Sequence, residues 1–162
     1  MKILIAPFSK KMRPDWKGAP EINPKNYPSW VELINLLKDH HIIQIGVEGE
    51  DKLVDDFRSG LNLFQLKDLL KEVDLFISVD SFLPHLAHTV QKTGIVLWGP
   101  SNPKFFGYEE NKNLLKDNKY LRPDQFGVWE QCKYDPDAFV SPEDVKKVID
   151  SFVKYGKNKV VK

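Results

Sequence analysis

The stretch from Asp74 to Pro103, DLFISVDSFLPHLAHTVQKTGIVLWGPSNP, constrains this chain more than any other. Leu75–Val79 is a short apolar run, β-rich enough for a buried strand. Asp80 and Ser81 end it. Pro84 falls where a first helical turn would begin, which suits its fixed φ and missing N–H. A helix is expected from Leu83 to about Val90, with Thr93-Gly94 as its exit. Ile95–Trp98 reads as a second buried strand, and Gly99-Pro100-Ser101-Asn102-Pro103 as a loop. In open parallel sheets, ligands bind beyond the carboxyl ends of the strands. The polar loops 80–85 and 99–103 both fall at such ends.

The chemistry of these loops suits an anion. A helix N-terminus offers unpaired N–H groups and a partial positive charge, and so favours phosphate. His85, one turn into the helix, adds a donor for the same anion. Asp80 is placed to accept hydrogen bonds from sugar hydroxyls, and Ser81 to cap the helix or touch phosphate. Each residue alone also has a plainer reading: Asp80 or Ser81 caps the helix, and His85 is a partly buried helix residue. The ordered set is much rarer by chance. It runs Asp-Ser-x-x-x-His-Leu-Ala after a β-run, then a strand ending Trp-Gly-Pro-Ser-Asn-Pro.

At these residues the chain resembles the carboxy-terminal, nucleotide-sugar-binding domain of family 9 glycosyltransferases, the heptosyltransferase group. That family carries Asp-Ser/Thr-Gly-x-x-His-x-Ala and then a strand ending in Gly-Pro-Thr-x-Pro. The matching positions are Asp80, Ser81, His85, Ala87, Gly99, Pro100, Ser101 and Pro103. One departure is Phe82, where the family has Gly; glycine there would let the backbone approach the phosphate closely. The resemblance spans about residues 1 to 155 and is strongest over 66–103. It implies an α/β fold, a Rossmann-like three-layer domain with a mainly parallel sheet, one half of a GT-B glycosyltransferase.

The remaining segments follow in order. Ile3–Ala6 reads as a first strand. Residues 7–28 form a loop with Pro7, Pro14, Pro20, Pro24 and Pro28 and the basic residues Lys10, Lys11, Arg13, Lys17 and Lys25. Loops of this length are often functional, so a basic flap meeting phosphate or acceptor stands beside a plain solvated connection. The family has a phosphate-facing Lys in this loop, before a Trp-Pro-like helix start. Lys10 or Lys11 is taken as its match. Ser29-Trp30-Val31-Glu32 reads as a capping box opening a helix to about Asp39, with Trp30, Leu33, Ile34 and Leu37 on one face. Ile42–Ile45 is a second strand. The turn Gly46-Val47-Glu48-Gly49-Glu50 then leads into a helix to about Arg58. The resemblance places a nucleoside-contacting carboxylate in this turn, best matched by Glu50 and next by Glu48. Read alone, the turn's acids simply favour the next helix N-terminus.

Leu61–Phe64 is expected as a strand and Gln65–Val73 as a helix with Leu66, Leu69, Leu70 and Val73 inward. Beyond Pro103 the chain reads as irregular and aromatic. Phe105, Phe106, Tyr108, Tyr120, Phe126 and Trp129 either line a base or sugar pocket or, more commonly for loop aromatics, pack together. Ser141-Pro142-Glu143-Asp144 opens a last helix. Val145, Val148, Ile149, Phe152 and Val153 form its apolar face, and Gly156 is its expected end.

Composition sets the outer bounds. The 162 residues suffice for one domain with a real core, and a formal net charge of +1 makes no general case for nucleic acid or an anionic membrane. The single cysteine, Cys132, excludes an internal disulfide and suits a cytoplasmic location. No apolar run approaches the ~18 residues of a membrane span. One domain over 1–156 and a tail over 157–162 are expected, with no internal repeat.

What the resemblance implies for function is a protein that binds a nucleotide diphosphate sugar, ADP-, UDP- or GDP-linked. It would transfer the hexosyl, heptosyl or pentosyl group to a hydroxyl with loss of the nucleoside diphosphate. Asp80 and His85 would be catalytic. Lys10, Lys11, Glu50, Asp80, Ser81, Phe82, His85, Gly99, Pro100 and Ser101 would bind substrate. No cofactor is called for, and no metal is invoked. Such enzymes have two halves, and this chain reads as the donor half alone. A homo-oligomer or a separate acceptor-binding chain is therefore an expected partner. The alternative is a non-catalytic nucleotide-sugar or nucleotide binding module, or a subunit of a larger assembly, which Phe82 favours. A hydrolase or isomerase on the same core is disfavoured by the absence of a nucleophile elbow. His85 and His88 share a helical face but have no acidic or Cys cluster to complete a metal site.

Overall fold

A computed structural model describes residues 1–13 and 17–158. Pro14, the expected apolar contact of Val153 and residues 159–162 lie outside the described residues or side chains. The elements are β1 (Lys2–Ala6), α1 (Trp30–Leu36), β2 (His41–Gly46), β3 (Asp56–Ser59), α2 (Leu63–Glu72), β4 (Leu75–Val79), α3 (Phe82–Thr89), β5 (Gly94–Trp98), α4 (Pro103–Phe106), β6 (Lys112–Leu115) and α5 (Pro142–Asn158). They build one six-stranded sheet in the order β3-β2-β1-β4-β5-β6. Every strand pair is parallel.

Three layers follow from the two-residue period of the strands. Ile3, Ile5, Ile77 and Ile95 face α1 and α5, meeting Trp30, Leu33, Leu37, Val145 and Ile149. Leu4, Ile43, Phe76 and Val96 face α2 and α3, meeting Leu66, Leu70, Leu83 and Ala87. All five residues of β4 and of β5 are buried. That is why both read as continuous apolar runs rather than alternating ones. The strand order reverses between β1 and β4. Helical connections leave there for opposite faces, and a crevice opens beyond the carboxyl ends of the two strands.

Several local expectations are corrected. No helix covers 50–58. The Gln44 side chain donates to Asp51 O and accepts from Leu53 N, both at 2.8 Å, which ties that segment to β2 outside any helix. β3 then forms at 56–59, ahead of the strand expected at 61–64. Those later residues instead open α2, because Asn62 and Gln65 make a reciprocal capping box. Ser29 is the N-cap of α1 but makes no side-chain cap bond, and no box with Glu32 forms. Its backbone, φ −107° and ψ 38°, lies outside the extended region that turns an N-cap hydroxyl back over the helix. α1 stops at Leu36, short of Asp39, with Leu37 as C-cap. β6 lies within the stretch expected to be irregular. α5 runs past Gly156 to Asn158, so the expected tail begins inside the helix.

Candidate functional site

The crevice is built first by β4, which delivers Asp80 to its carboxyl end. Asp80 is 8% exposed. Ser101 Oγ donates to its Oδ2 at 2.7 Å, and the Lys25 ammonium stands 3.3 Å from the same oxygen. Ser81 is the N-cap of α3 and makes no cap bond. Ser78 Oγ gives its hydrogen to Val79 O at 2.7 Å. The Ser81 hydroxyl, 3.1 Å from Ser78 Oγ, therefore donates to Ser78 and turns away from the helix. The reading of Ser81 as a side-chain cap is thereby corrected. The orphan N–H groups of a helix start are here those of Ser81, Phe82 and Leu83, since Pro84 has none.

These groups open onto a cleft of about 770 Å³. Its lining includes the cations Lys10, Lys11, Lys25 and Arg58, the acid Glu50, and Phe82 and His85. Ile45, Val47, Leu61 and Leu66 supply apolar surface. Of the two turn acids, Glu50 lines the cleft and Glu48 does not. Glu50 Oε2 accepts from Val47 N at 3.0 Å. A Cβ at Gly46 would lie 2.3 Å from that carboxylate oxygen, so only glycine leaves the carboxylate its place. Arg58 is oriented by two bonds to Asp56, at 2.9 and 3.0 Å. Those bonds hold the Asp56 carboxyl below the usual range.

The long loop after β1 is tied down. Asn23 Nδ2 donates to Lys10 O at 2.7 Å and Asn26 Oδ1 accepts from Ser9 N at 2.8 Å. The Trp30 indole donates to Pro7 O at 3.0 Å. Folding the loop back brings Lys25 to Asp80, with a side chain only 15% exposed. Sequence reasoning missed Lys25 as a site residue. A signal was present: Lys25-Asn26-Tyr27-Pro28 stands immediately before the helix start, where the Lys of a Trp-Pro-like pattern belongs, while Lys10 and Lys11 lie far upstream of it.

A second segment latches onto this loop. The Trp129 ring has the Lys25 ammonium at 4.7 Å and the Arg122 guanidinium at 3.5 Å. Arg13 pairs with Glu130 through bonds of 2.7 and 3.1 Å. The Arg13 guanidinium holds the Glu130 carboxyl down at about 2, against an ordinary 4.5. A depressed carboxyl contributes its pairing above the ordinary range and loses it as pH falls through the depressed value. The Glu130 resonance in an NMR titration should therefore turn over near 2 in the parent protein. In Arg13→Gln it should turn over at higher pH, back toward the ordinary range. A parent midpoint in the ordinary range would show that the pair does not latch the loops.

The remaining expected residues divide. Lys10, Lys11, Glu50, Asp80, Ser81, Phe82 and His85 all line the cleft. Gly99, Pro100 and Ser101 do not. Ser101 is 1% exposed and reaches the site only through Asp80. A Cβ at Gly99 would lie 2.5 Å from the Phe139 ring, so that glycine serves packing. Pro100 O accepts from Arg122 N at 3.1 Å and Gln125 Nε2 at 2.9 Å. None of the loop aromatics lines the cleft. Phe105, Phe106 and Phe126 cluster with one another, and Tyr108 bonds His85. His88 bonds Glu110 instead of joining His85. Among the described residues no three His, Cys, Asp or Glu side chains gather as metal ligands. No helix among them is long and apolar enough to cross a membrane.

With this geometry in place, three comparisons bear on the chain. The family model of glycosyltransferase family 9 (heptosyltransferase) matches residues 17–127. Among solved structures, E. coli ADP-heptose lps heptosyltransferase II aligns with a TM-score of 0.66 at 16% identity, over 96% of this chain and 47% of that one. E. coli heptosyltransferase WaaC with ADP aligns at 0.57 and 17% identity, over 93% and 43%. The dodecameric iron-containing heptosyltransferase TibC in complex with ADP-D-beta-D-heptose aligns at 0.54 and 18%, over 86% and 35%. The chain thus spans half or less of the length of these structures, and at such identities the likeness is one of fold. No curated protein matches the chain.

Proposed function

The chain belongs to glycosyltransferase family 9, the heptosyltransferase family, and from that premise we propose that its cleft binds a nucleotide diphosphate sugar for transfer of the sugar to a hydroxyl. One observation carries this reading. The open N-terminus of α3, Lys25, His85 and Asp80, with the Lys25 ammonium 3.3 Å from Asp80, line the same cleft as Glu50 and a set of apolar side chains. The diphosphate lies against the helix N–H groups with Lys25, Lys10 or Lys11, and His85. Glu50 takes the ribose hydroxyls, the apolar lining takes the base, and Asp80 accepts from the hydroxyls of the sugar. Two of the structural relatives contain ADP or ADP-heptose, which makes an adenine nucleotide the first to test.

In the transfer, the acceptor oxygen forms a bond to the anomeric carbon as the bond from that carbon to the diphosphate oxygen breaks. The electron pair leaves with the nucleoside diphosphate. The helix N-terminus, Lys25 and His85 stabilise that developing charge. The acceptor proton passes to a base that we do not assign to a residue. A second copy or a separate chain is the partner we would look for at the acceptor side.

Calorimetric titration with ADP-, UDP- and GDP-sugars and the free diphosphates, repeated on His85→Ala, tests the reading. Binding of one donor, weakened by His85→Ala, supports it, and no binding across the panel removes it. The competing reading, a binding module without turnover, has one specific observation behind it. Phe82, 52% exposed, stands over the first turn of α3 where the family has glycine. Phe82→Gly should tighten diphosphate binding by about tenfold if the ring obstructs approach to the helix N–H groups, each worth about 1 kcal/mol or more toward a charged group. Unchanged affinity would show that the ring stands clear of the phosphate. Sugar transfer or hydrolysis appearing in Phe82→Gly but absent from the parent would favour the binding module.

A further inference from the structure

His85 and His88 lie one turn apart on α3, and both meet Tyr108, but in different ways. Tyr108 OH is 2.9 Å from His85 Nδ1. His88 stacks on the Tyr108 ring, centroids 4.1 Å apart at 16°, and bonds Glu110 through its own Nδ1. A carboxylate only accepts, so His88 carries a hydrogen on Nδ1. A phenol can donate or accept, so the partner alone does not decide the His85 tautomer.

The tyrosine itself is firmly held. Its carbonyl accepts from Asn113 Nδ2 at 2.9 Å and from Asn111 N at 3.1 Å. Asn113 Oδ1 in turn accepts from the Trp98 indole at 2.9 Å. A Cβ at the preceding Gly107 would lie 2.6 Å from Pro103 O, so the turn that aims Tyr108 is closely packed. The backbone is tied to the edges of β5 and β6, and one ring face is covered by His88. The hydroxyl has no other partner among the described residues. His85 lines the cleft and Tyr108 does not, so Nδ1 faces the tyrosine and Nε2 is the nitrogen left for a ligand.

We propose that Tyr108 is a positioning residue that donates its hydroxyl to His85 Nδ1, fixing the neutral imidazole as the Nε2–H tautomer with that N–H turned to the cleft. The opposite assignment would turn a bare nitrogen lone pair toward an anion's oxygens. With Tyr108 donating, a neutral His85 remains a hydrogen-bond donor to phosphate, and the ring is held without spending any group of the ligand. The role in binding rests on the donor cleft proposed above; the tautomer does not.

The first measurement is therefore made without ligand. Histidine side-chain ¹⁵N correlations, recorded in mildly alkaline buffer where neutral imidazole is the rule, should show His85 as a single Nε2–H tautomer. In Tyr108→Phe, which keeps the ring against His88, they should show a mixture. A parent His85 carrying its hydrogen on Nδ1, or a mixture in both proteins, would overturn the proposal. The second measurement titrates ADP. Tyr108→Phe should weaken binding about 3- to 10-fold, the span of one ordinary hydrogen bond. In a His85→Ala background the same change should cost nothing further. An equal loss in that background would mean that Tyr108 does not act through His85. If ADP fails to bind the parent protein, the titration uses whichever of UDP and GDP binds; if none does, the donor reading fails, while the tautomer spectra still decide the role of Tyr108.

Discussion

Lys25→Met is expected to weaken binding of a nucleoside diphosphate by about 30- to 100-fold, the value of one charge-assisted contact in a shielded site. The same change should destabilise the fold by about 3 kcal/mol. Both effects have one cause. Asp80 has two partners, Ser101 and Lys25, and its side chain is 11% exposed. Removing the ammonium leaves a largely buried carboxylate with only a hydroxyl. Methionine keeps the stem that packs near Trp129 and deletes the charge alone. Stability and binding should then separate in the double variant. Lys25→Met with Asp80→Asn removes both charges and should recover most of the lost stability in urea unfolding, without recovering affinity in calorimetry. Affinity unchanged in Lys25→Met but lost in Lys10→Met or Lys11→Met would place the phosphate-facing cation in the exposed pair.

Gly99→Ala should destabilise the protein by about 1–3 kcal/mol, the usual cost of an added carbon in a close-packed interior. It should leave diphosphate affinity unchanged in the folded protein. The reason is Phe139, whose ring already occupies the space a methyl would need. Phe139→Leu should relieve part of the cost in the double variant, because its shorter side chain vacates that space. Lost affinity at full stability would return Gly99 to the ligand, as its place in the motif suggests.

The two predictions separate what the motif residues have in common. Asp80, Ser81, His85, Gly99, Pro100 and Ser101 are adjacent in pattern, yet only the first three line the cleft. Ser101 orients Asp80, Gly99 admits Phe139, and Pro100 supplies a carbonyl to Arg122 and Gln125. A motif records which residues a site requires, whether they touch the ligand or hold those that do.

The sequence alone determined the centre of the sheet and which motif residues stand at its carboxyl edge. β4 was legible at its observed bounds, and β1, β2 and β5 within a residue, because strands covered on both faces must be apolar throughout. Asp80, Ser81 and His85 were legible as an ordered motif rather than singly, and Glu50 only through the family resemblance; all four line the cleft. β3 and β6 were not, since edge strands are half-covered: β3 carries Asp56 and Arg58, β6 carries Lys112 and Asn113. Their polar residues answer to side chains elsewhere, Asn113 to the Trp98 indole and Asp56 to His41. Only the tertiary structure decided which lysine meets Asp80, that Trp129 stands beside it, and that Tyr108 reaches His85. Each is a contact between segments far apart in the chain. Local periodicity carries no information on such distances; the closure of the loops over the crevice sets them.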